Sequence, residues 1–122
     1  MLFFIKKALR VIKALKQNED LALLIDQRDS SGLEIDFFGK KALATDGFAN
    51  LAIRYKTMIC PVYSIRNQNN KFQIIFEKPL RYEEYRNYNV KGLVEMIHKK
   101  YFEKWITNSP SQWLWVHKRW KL

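Results

Sequence analysis

An aspartate followed by a glutamine closes a short apolar run, Leu21 to Ile25, in this chain. A carboxylate and an amide at that point can steady a catalytic group or hold a substrate hydroxyl. The competing reading is a loop aspartate making turn hydrogen bonds. His98 and Glu103 spell His-x4-Glu, the spacing of an acid-assisted general base. They fall inside a long helical pattern, where five residues turn about 500° and leave the pair roughly 140° apart around the axis. On ideal α geometry the two cannot cooperate unless the helix breaks, so the match reads as coincidence. Thr45, Asp46 and Gly47 open another helix, and such an end offers free N–H groups to an anion. Asp46 would repel a phosphate there, which favours plain capping by Thr45 or Asp46. Near the end, Trp113, Trp115 and Trp120 interleave with His117, Lys118, Arg119 and Lys121. Tryptophan suits a membrane interface and bases suit phosphate. The alternative is a docking tail with Trp113, Val116 and Trp120 buried at helical spacing. Both are expected together, tryptophans packed and bases exposed.

Other chemistries lack their residues. Two distant histidines and the lone Cys60 make no metal ligand set, and four scattered glycines make no phosphate loop. No serine or cysteine nucleophile has a base in sequence context, and no cofactor is implied. Cys60 lies in the apolar run Met58 to Val62, where a buried small hydrophobe and a reducing compartment are expected. Basic side chains outnumber acidic ones 22 to 12, giving a net charge of +10 that attracts anions such as lipid headgroups, nucleic acid or an acidic protein. Aromatic and basic mixing also occurs in nucleic-acid binders, but no such module accompanies it, and no nucleic-acid partner is expected.

The elements that must position these groups follow from periodicity. At 48% apolar, the chain is expected to be globular, and 122 residues suffice for a single domain, 1–122. No apolar run is long enough to span a bilayer, and Lys6, Lys7, Arg10 and Lys13 break up any signal-peptide core. Leu2 to Gln17 reads as an amphipathic helix with Ile5, Leu9, Ile12 and Leu15 on one face. It either lies on an anionic membrane or covers a sheet. Leu21 to Ile25 suits a buried strand, and 27–36 a loop. A helix should run from Thr45 or Asp46 to about Lys56, with Phe48, Leu51, Ala52 and Tyr55 inward. Met58 to Ile65 and Phe72 to Phe76 should form an antiparallel hairpin around Asn67 to Asn70. Val90 to about Thr107 is the strongest helix, and Pro110 starts a last short one. Strand, helix, strand near the start implies a right-handed crossover and a parallel pair in an α/β sheet. Asp26 would then sit outside a strand's carboxyl end, where such sheets gather ligands.

Several stretches together resemble the bacterial Kdo2-lipid A lauroyl/myristoyl acyltransferases. They are Asp26-Gln27, Gly32, Phe37-Phe38-Gly39, Ala44-Thr45 with Gly47, Leu51-Ala52, Cys60-Pro61-Val62, and the close from Ser111-Gln112-Trp113 through Lys118-Arg119-Trp120-Lys121. The family shows a D-Q/H element, F-F-G, A-T-x-x-G, and an ending like P-x-Q-W-x-W-x-H-R-R-W/F-K. The closing motif is the most specific. Arg28 and Asp29 depart from the residues usual after Asp-Gln. The resemblance implies a partial glycerolipid-acyltransferase-like α/β fold, a small open mixed sheet flanked by helices. It implies transfer of a fatty acyl chain from acyl carrier protein to a hydroxyl of a lipid A precursor, peripherally at the cytoplasmic face of the inner membrane. It carries a supporting catalytic role to Asp26 and makes Gln27, Arg28, Thr45, His117 and Arg119 the candidates for substrate contact. The family's own His-x4-Asp/Glu dyad belongs to a half that precedes the matched stretch. The expectation is therefore a C-terminal part, inactive alone: either a remnant, or one half of a split enzyme whose dyad a separately encoded half supplies. The alternative is a non-enzymatic basic protein of the membrane surface.

Overall fold

The computed structural model describes residues 2–115 and 118–120, with side chains from Lys7 onward. The protein is mixed α/β. Helix α1 (Leu2–Lys16) precedes hairpin β1 (Leu33–Phe37) and β2 (Lys40–Ala44), helix α2 (Gly47–Tyr55), and hairpin β3 (Val62–Arg66) and β4 (Phe72–Phe76). The short α3 (Tyr82–Tyr85) leads into a long helical rod. That rod comprises α4 (Val90–Ile97), a π-helical turn (His98–Phe102) and α5 (Glu103–Asn108), and a 3-10 turn at Pro110–Gln112 follows.

The rod is the spine. Asn89 caps it by accepting the Gly92 N–H at 2.7 Å, and Leu93, Val94, Ile97, Tyr101, Phe102 and Ile106 are buried along it. Two of its acids reach the first hairpin: Glu95 accepts the Asp36 N–H at 3.3 Å and Glu103 the Phe38 N–H at 2.7 Å. Farther along, Trp105 stacks on Tyr63 of β3 at 4.5 Å and donates its indole N–H to Glu77 at 2.9 Å. One helix thus anchors both hairpins. The expected apolar stripe is present, but its regularity breaks at the π turn, closed by Glu103 N–H donating to the His98 carbonyl.

The F-F-G element is a turn. Phe37 is wholly buried, while Phe38 and Gly39 both take positive φ, 53° and 74°, as a two-residue type I′ connection requires. The register Leu33↔Ala44 to Phe37↔Lys40 follows, placing Ile35, Phe37, Ala42 and Ala44 in the core. Gly32 is fixed by close approach, because a Cβ there would lie 2.1 Å from the Ala44 carbonyl oxygen.

Four expectations are corrected. Strand β1 begins inside the stretch read as loop, because Leu33, Ile35 and Phe37 alternate around acids that face outward. Leu21–Ile25 is extended but joins no ladder, so no parallel pair forms among the described residues and both two-stranded sheets are antiparallel. A buried strand needs neighbours on both sides for its N–H and C=O groups, and none of the described elements offers them. Helix α2 starts at Gly47 with Asp46 at the cap position, yet Asp46 has helical φ and ψ and makes no side-chain cap bond. Cys60 is exposed, with its thiol 3.7 Å from the Glu77 carbonyl, because the strand proper begins only at Val62. The β3–β4 hairpin itself stands as expected, with register Val62↔Phe76 to Arg66↔Phe72.

Replacing Gly32 by Ala should lower stability by about 1–3 kcal/mol through overpacking against backbone. Gly39→Ala meets no atom within 4 Å and should show only the strain of its φ of +74°. Urea unfolding of both variants checks the difference.

Candidate functional site

The resemblance's strongest residues converge on one buried point. Arg119 is 1% exposed, although a base of the closing motif was expected in solvent. Its segment lies along the edge of the first hairpin: the Leu43 N–H donates to the Arg119 carbonyl at 3.0 Å, and Trp120 bridges Ala42. Trp120 stacks flat on Phe37, centroids 5.2 Å apart, and donates its indole N–H to the Phe37 carbonyl at 2.9 Å. Trp120 pairs with Ala42 as an isolated bridge, so it packs by a strand-like contact and Trp113 from a loop; Val116 and Lys121 lie outside the described residues. Trp115 is exposed, and Lys118 is exposed as expected.

Inward, the guanidinium of Arg119 has three neighbours. Its Nη1 donates to the main-chain carbonyl of Asp26, and its Nη2 lies 3.0 Å from His98 Nε2. Its carbon sits 5.5 Å from the centre of the Phe37 ring. Nε of Arg119 and the indole nitrogen of Trp113 are buried without a hydrogen-bond partner. The His98 tautomer follows from these contacts. Nδ1 is 2.8 Å from the Val94 carbonyl, which can only accept, so Nδ1 carries the proton and Nε2 accepts from Arg119.

Burial pushes the His98 pKa from 6.5 down to about 4; the Val94 carbonyl works against that shift and the Arg119 charge adds to it. Burial likewise lowers the Arg119 pKa, while the Asp26 charge opposes this. A neutral His98 is what lets Arg119 remain charged beside it.

The His98–Glu103 spacing remains a coincidence, although ideal α geometry is not the reason. The π turn falls between them, so the rod does depart from α geometry where the ideal-helix argument assumed it would not. Both turn toward β1, His98 with its ring 5.2 Å from Phe37 and Glu103 on the Phe38 N–H. They serve different partners. His98 is fully buried with both ring nitrogens engaged, which leaves it no lone pair for a substrate proton.

Two further candidates follow Asp26 directly in the chain. Asp26, Gln27 and Arg28 are exposed, immediately after the unpaired run Leu21–Ile25. Asp29 closes the turn, accepting from the Ser31 N–H at 2.9 Å and the Ser31 hydroxyl at 2.7 Å. The Ser31 hydroxyl chiefly, then its N–H, holds the Asp29 carboxyl below the usual carboxylate range, with a smaller contribution from Thr45. Thr45 is half-buried near Asp29 and makes no side-chain cap bond to the helix. His117 lies outside the described residues. Sequence reasoning missed His98 as a partner of Arg119. The available signal was its place four residues after Val94 and three before Tyr101, on the edge of the apolar stripe.

Among the described residues no cluster of His, Cys, Asp and Glu could hold a metal ion, and no helix is long and apolar enough to cross a membrane. The sequence model described as bacterial lipid A biosynthesis acyltransferase matches residues 5–122. The chain belongs to that family. No curated protein matches it. In this chain the closing motif is a clasp: its arginine and last tryptophan tie the tail, β1, the π turn and the Asp26 segment together.

His98 gives the clasp a pH dependence with a definite sign. Its folded pKa lies below its unfolded value, so its contribution is complete above about pH 6.5 and is lost as pH falls toward about 4. Within that window stability should drop by on the order of 1 kcal/mol per pH unit. His98→Asn should flatten the slope in urea unfolding measured from pH 7 to pH 4.

Proposed function

We propose that this chain forms the acceptor-positioning part of an acyl-transfer site, working with a His-x4-Asp/Glu dyad carried by polypeptide outside these 122 residues. The observation that carries the reading is the state of Leu21–Asp26. An apolar run, with Leu24 85% exposed, stands extended without a ladder partner, and the aspartate at its end is held through its main chain while its side chain faces solvent. An apolar segment with free backbone groups is a template for strand addition. The outer face of β3–β4, with Phe72, Ile74 and Phe76 each more than 60% exposed, is a second surface left to be covered.

In this reading a hydroxyl of the lipid A precursor attacks the thioester carbonyl of an acyl carrier protein. The new C–O bond forms as the C–S bond breaks. The histidine takes the hydroxyl proton and returns it to the departing thiolate. Asp26 contributes from this chain by fixing the acceptor hydroxyl or a cationic side chain of the completing part. In this reading Gln27 and Arg28, next to Asp26 in the chain, and Thr45, close to Asp29, contact the acceptor. The basic surface fits a phosphorylated, carboxylated acceptor and an acidic carrier protein.

The chain alone should show no acyl transfer, and reconstitution with a family segment bearing the dyad should produce it. Asp26→Ala should then lower the rate at least about tenfold through lost geometry, with circular dichroism unchanged. Asp46→Ala is the control expected to keep full activity, since Asp46 makes no side-chain cap bond. Full activity in Asp26→Ala would remove the site assignment.

A second reading, peripheral residence on an anionic membrane, is supported by α1. None of its described side chains from Lys7 to Lys16 is buried, and Lys7, Arg10, Lys13 and Lys16 are all exposed. Vesicles containing anionic lipid should retain the chain better than neutral ones, with the difference shrinking as salt shortens the screening length to about 8 Å at physiological ionic strength. Equal retention by both vesicle types at low salt would refute it.

A further inference from the structure

The carboxylate proposed to work in acyl transfer is exposed, on a loop that follows an unpaired segment. Such a segment has few contacts of its own to hold a side chain within catalytic tolerance. What fixes it is remote in sequence. We propose that Arg119 is a positioning residue for Asp26, with His98 as its holder, so that the closing motif acts on the reaction by aiming the Asp26 loop; this rests on the acyl-transfer reading above.

The geometry is specific to a guanidinium. One nitrogen reaches the Asp26 carbonyl and another the His98 imidazole, while the plane rests against Phe37. A planar fork satisfies the two acceptors at once, which an ammonium on a flexible stem does not. His98 is prepared for the task from the other side. Its Nδ1–H is spent on the Val94 carbonyl, which leaves Nε2 as an acceptor facing Arg119. The π turn begins at His98, and the ring is wedged edge-on between Phe37 and Phe102 at 5.2 and 4.7 Å. The imidazole therefore has a fixed place, the guanidinium is fixed by it, and the Asp26 main chain is fixed by the guanidinium. A purely structural clasp has no need of this third link. The tail is already held by the Leu43–Arg119 main-chain bond and by Trp120 on Phe37, neither of which touches Asp26.

The sequence Asp-Gln occurs once in the chain, so 13C at the Asp26 carbonyl and 15N at Gln27 give a single resolvable signal. In the full chain, Arg119→Met should move that carbonyl resonance upfield as its hydrogen bond is lost, and Arg119→Lys should move it part of the way. Trp120→Phe, which removes the bond to Phe37 and shrinks the ring stacked on it but touches no group that contacts Asp26, should lower the unfolding midpoint and leave the resonance in place. In the reconstituted enzyme, Arg119→Met should reduce kcat about tenfold with KM for the acyl carrier protein changed less than about twofold. Methylguanidinium added to Arg119→Ala should restore part of kcat, and methylammonium should not. If Arg119→Met does not fold, Arg119→Lys and the rescued Arg119→Ala carry the test. An unmoved Asp26 resonance in a folded Arg119→Met chain, or a kcat loss no greater than that of Trp120→Phe, overturns the proposal. Full activity in Asp26→Ala alongside a shifted resonance in Arg119→Met would instead overturn the catalytic reading of Asp26, because the aim of the loop would then have changed without a group at its end that matters.

Discussion

A guanidinium taken out of water is the constraint around which this structure is arranged. Removing such a charge from solvent costs several kcal/mol even after relaxation, and only well-placed acceptors offset it. Arg119 has the Asp26 carbonyl, the His98 imidazole, the face of Phe37 and the nearby Asp26 charge. Those four groups come from three places far apart in the chain, so satisfying one side chain brings the loop at 26, the first hairpin and the rod together. The orphaned Nε marks where compensation is incomplete. Replacing an arrangement of this kind by an apolar filler of the same volume is often neutral or favourable for net stability. The value of the arrangement lies in specifying where the Asp26 loop sits.

The rod makes that arrangement possible by departing from regular geometry. An uninterrupted α-helix would place His98 and Glu103 on different sides, roughly 140° apart. The π turn lets both approach the first hairpin. His98 is then free to take Arg119, and Glu103 accepts the N–H of Phe38 in the I′ turn. Glu95 does the same for Asp36 two turns earlier. The hairpin β1–β2 is too small to be stable by itself, and it is held by acids on the helix as well as by its buried face.

Several apolar groups lie outside the cover of the rod and clasp. Leu23 and Leu24, the outer face of β3–β4, and Leu9 on α1 are all exposed. Each would be an aggregation liability on an isolated surface. Two-stranded antiparallel sheets and an unpaired extended segment have the same physical deficiency, backbone and apolar groups without neighbours. That shared deficiency fits the acyltransferase reading, which on other grounds places the remaining site groups on polypeptide beyond these residues.

The sequence by itself determined the local elements whose signals are local. The helical stripe from Val90 to Ile106, the hairpin around Asn67 to Asn70, the Pro110 turn and the family motifs are short-range patterns of apolar period and turn chemistry. The importance of the closing motif was legible too, though not its role. Tertiary structure alone decided whether Leu21–Ile25 pairs, because a strand is defined by a neighbour and not by its own composition. It also decided that Arg119 is buried. A base between Lys118 and Trp120 reads as solvated, since nothing nearby in sequence could satisfy it. Its partners lie 21 and 93 residues away, and only folding brings a carbonyl and an imidazole within reach of the same guanidinium. The π turn at His98 was invisible for the same reason: it is an irregularity that the contacts at β1 and the tail hold in place, and helical periodicity predicts only the regular form.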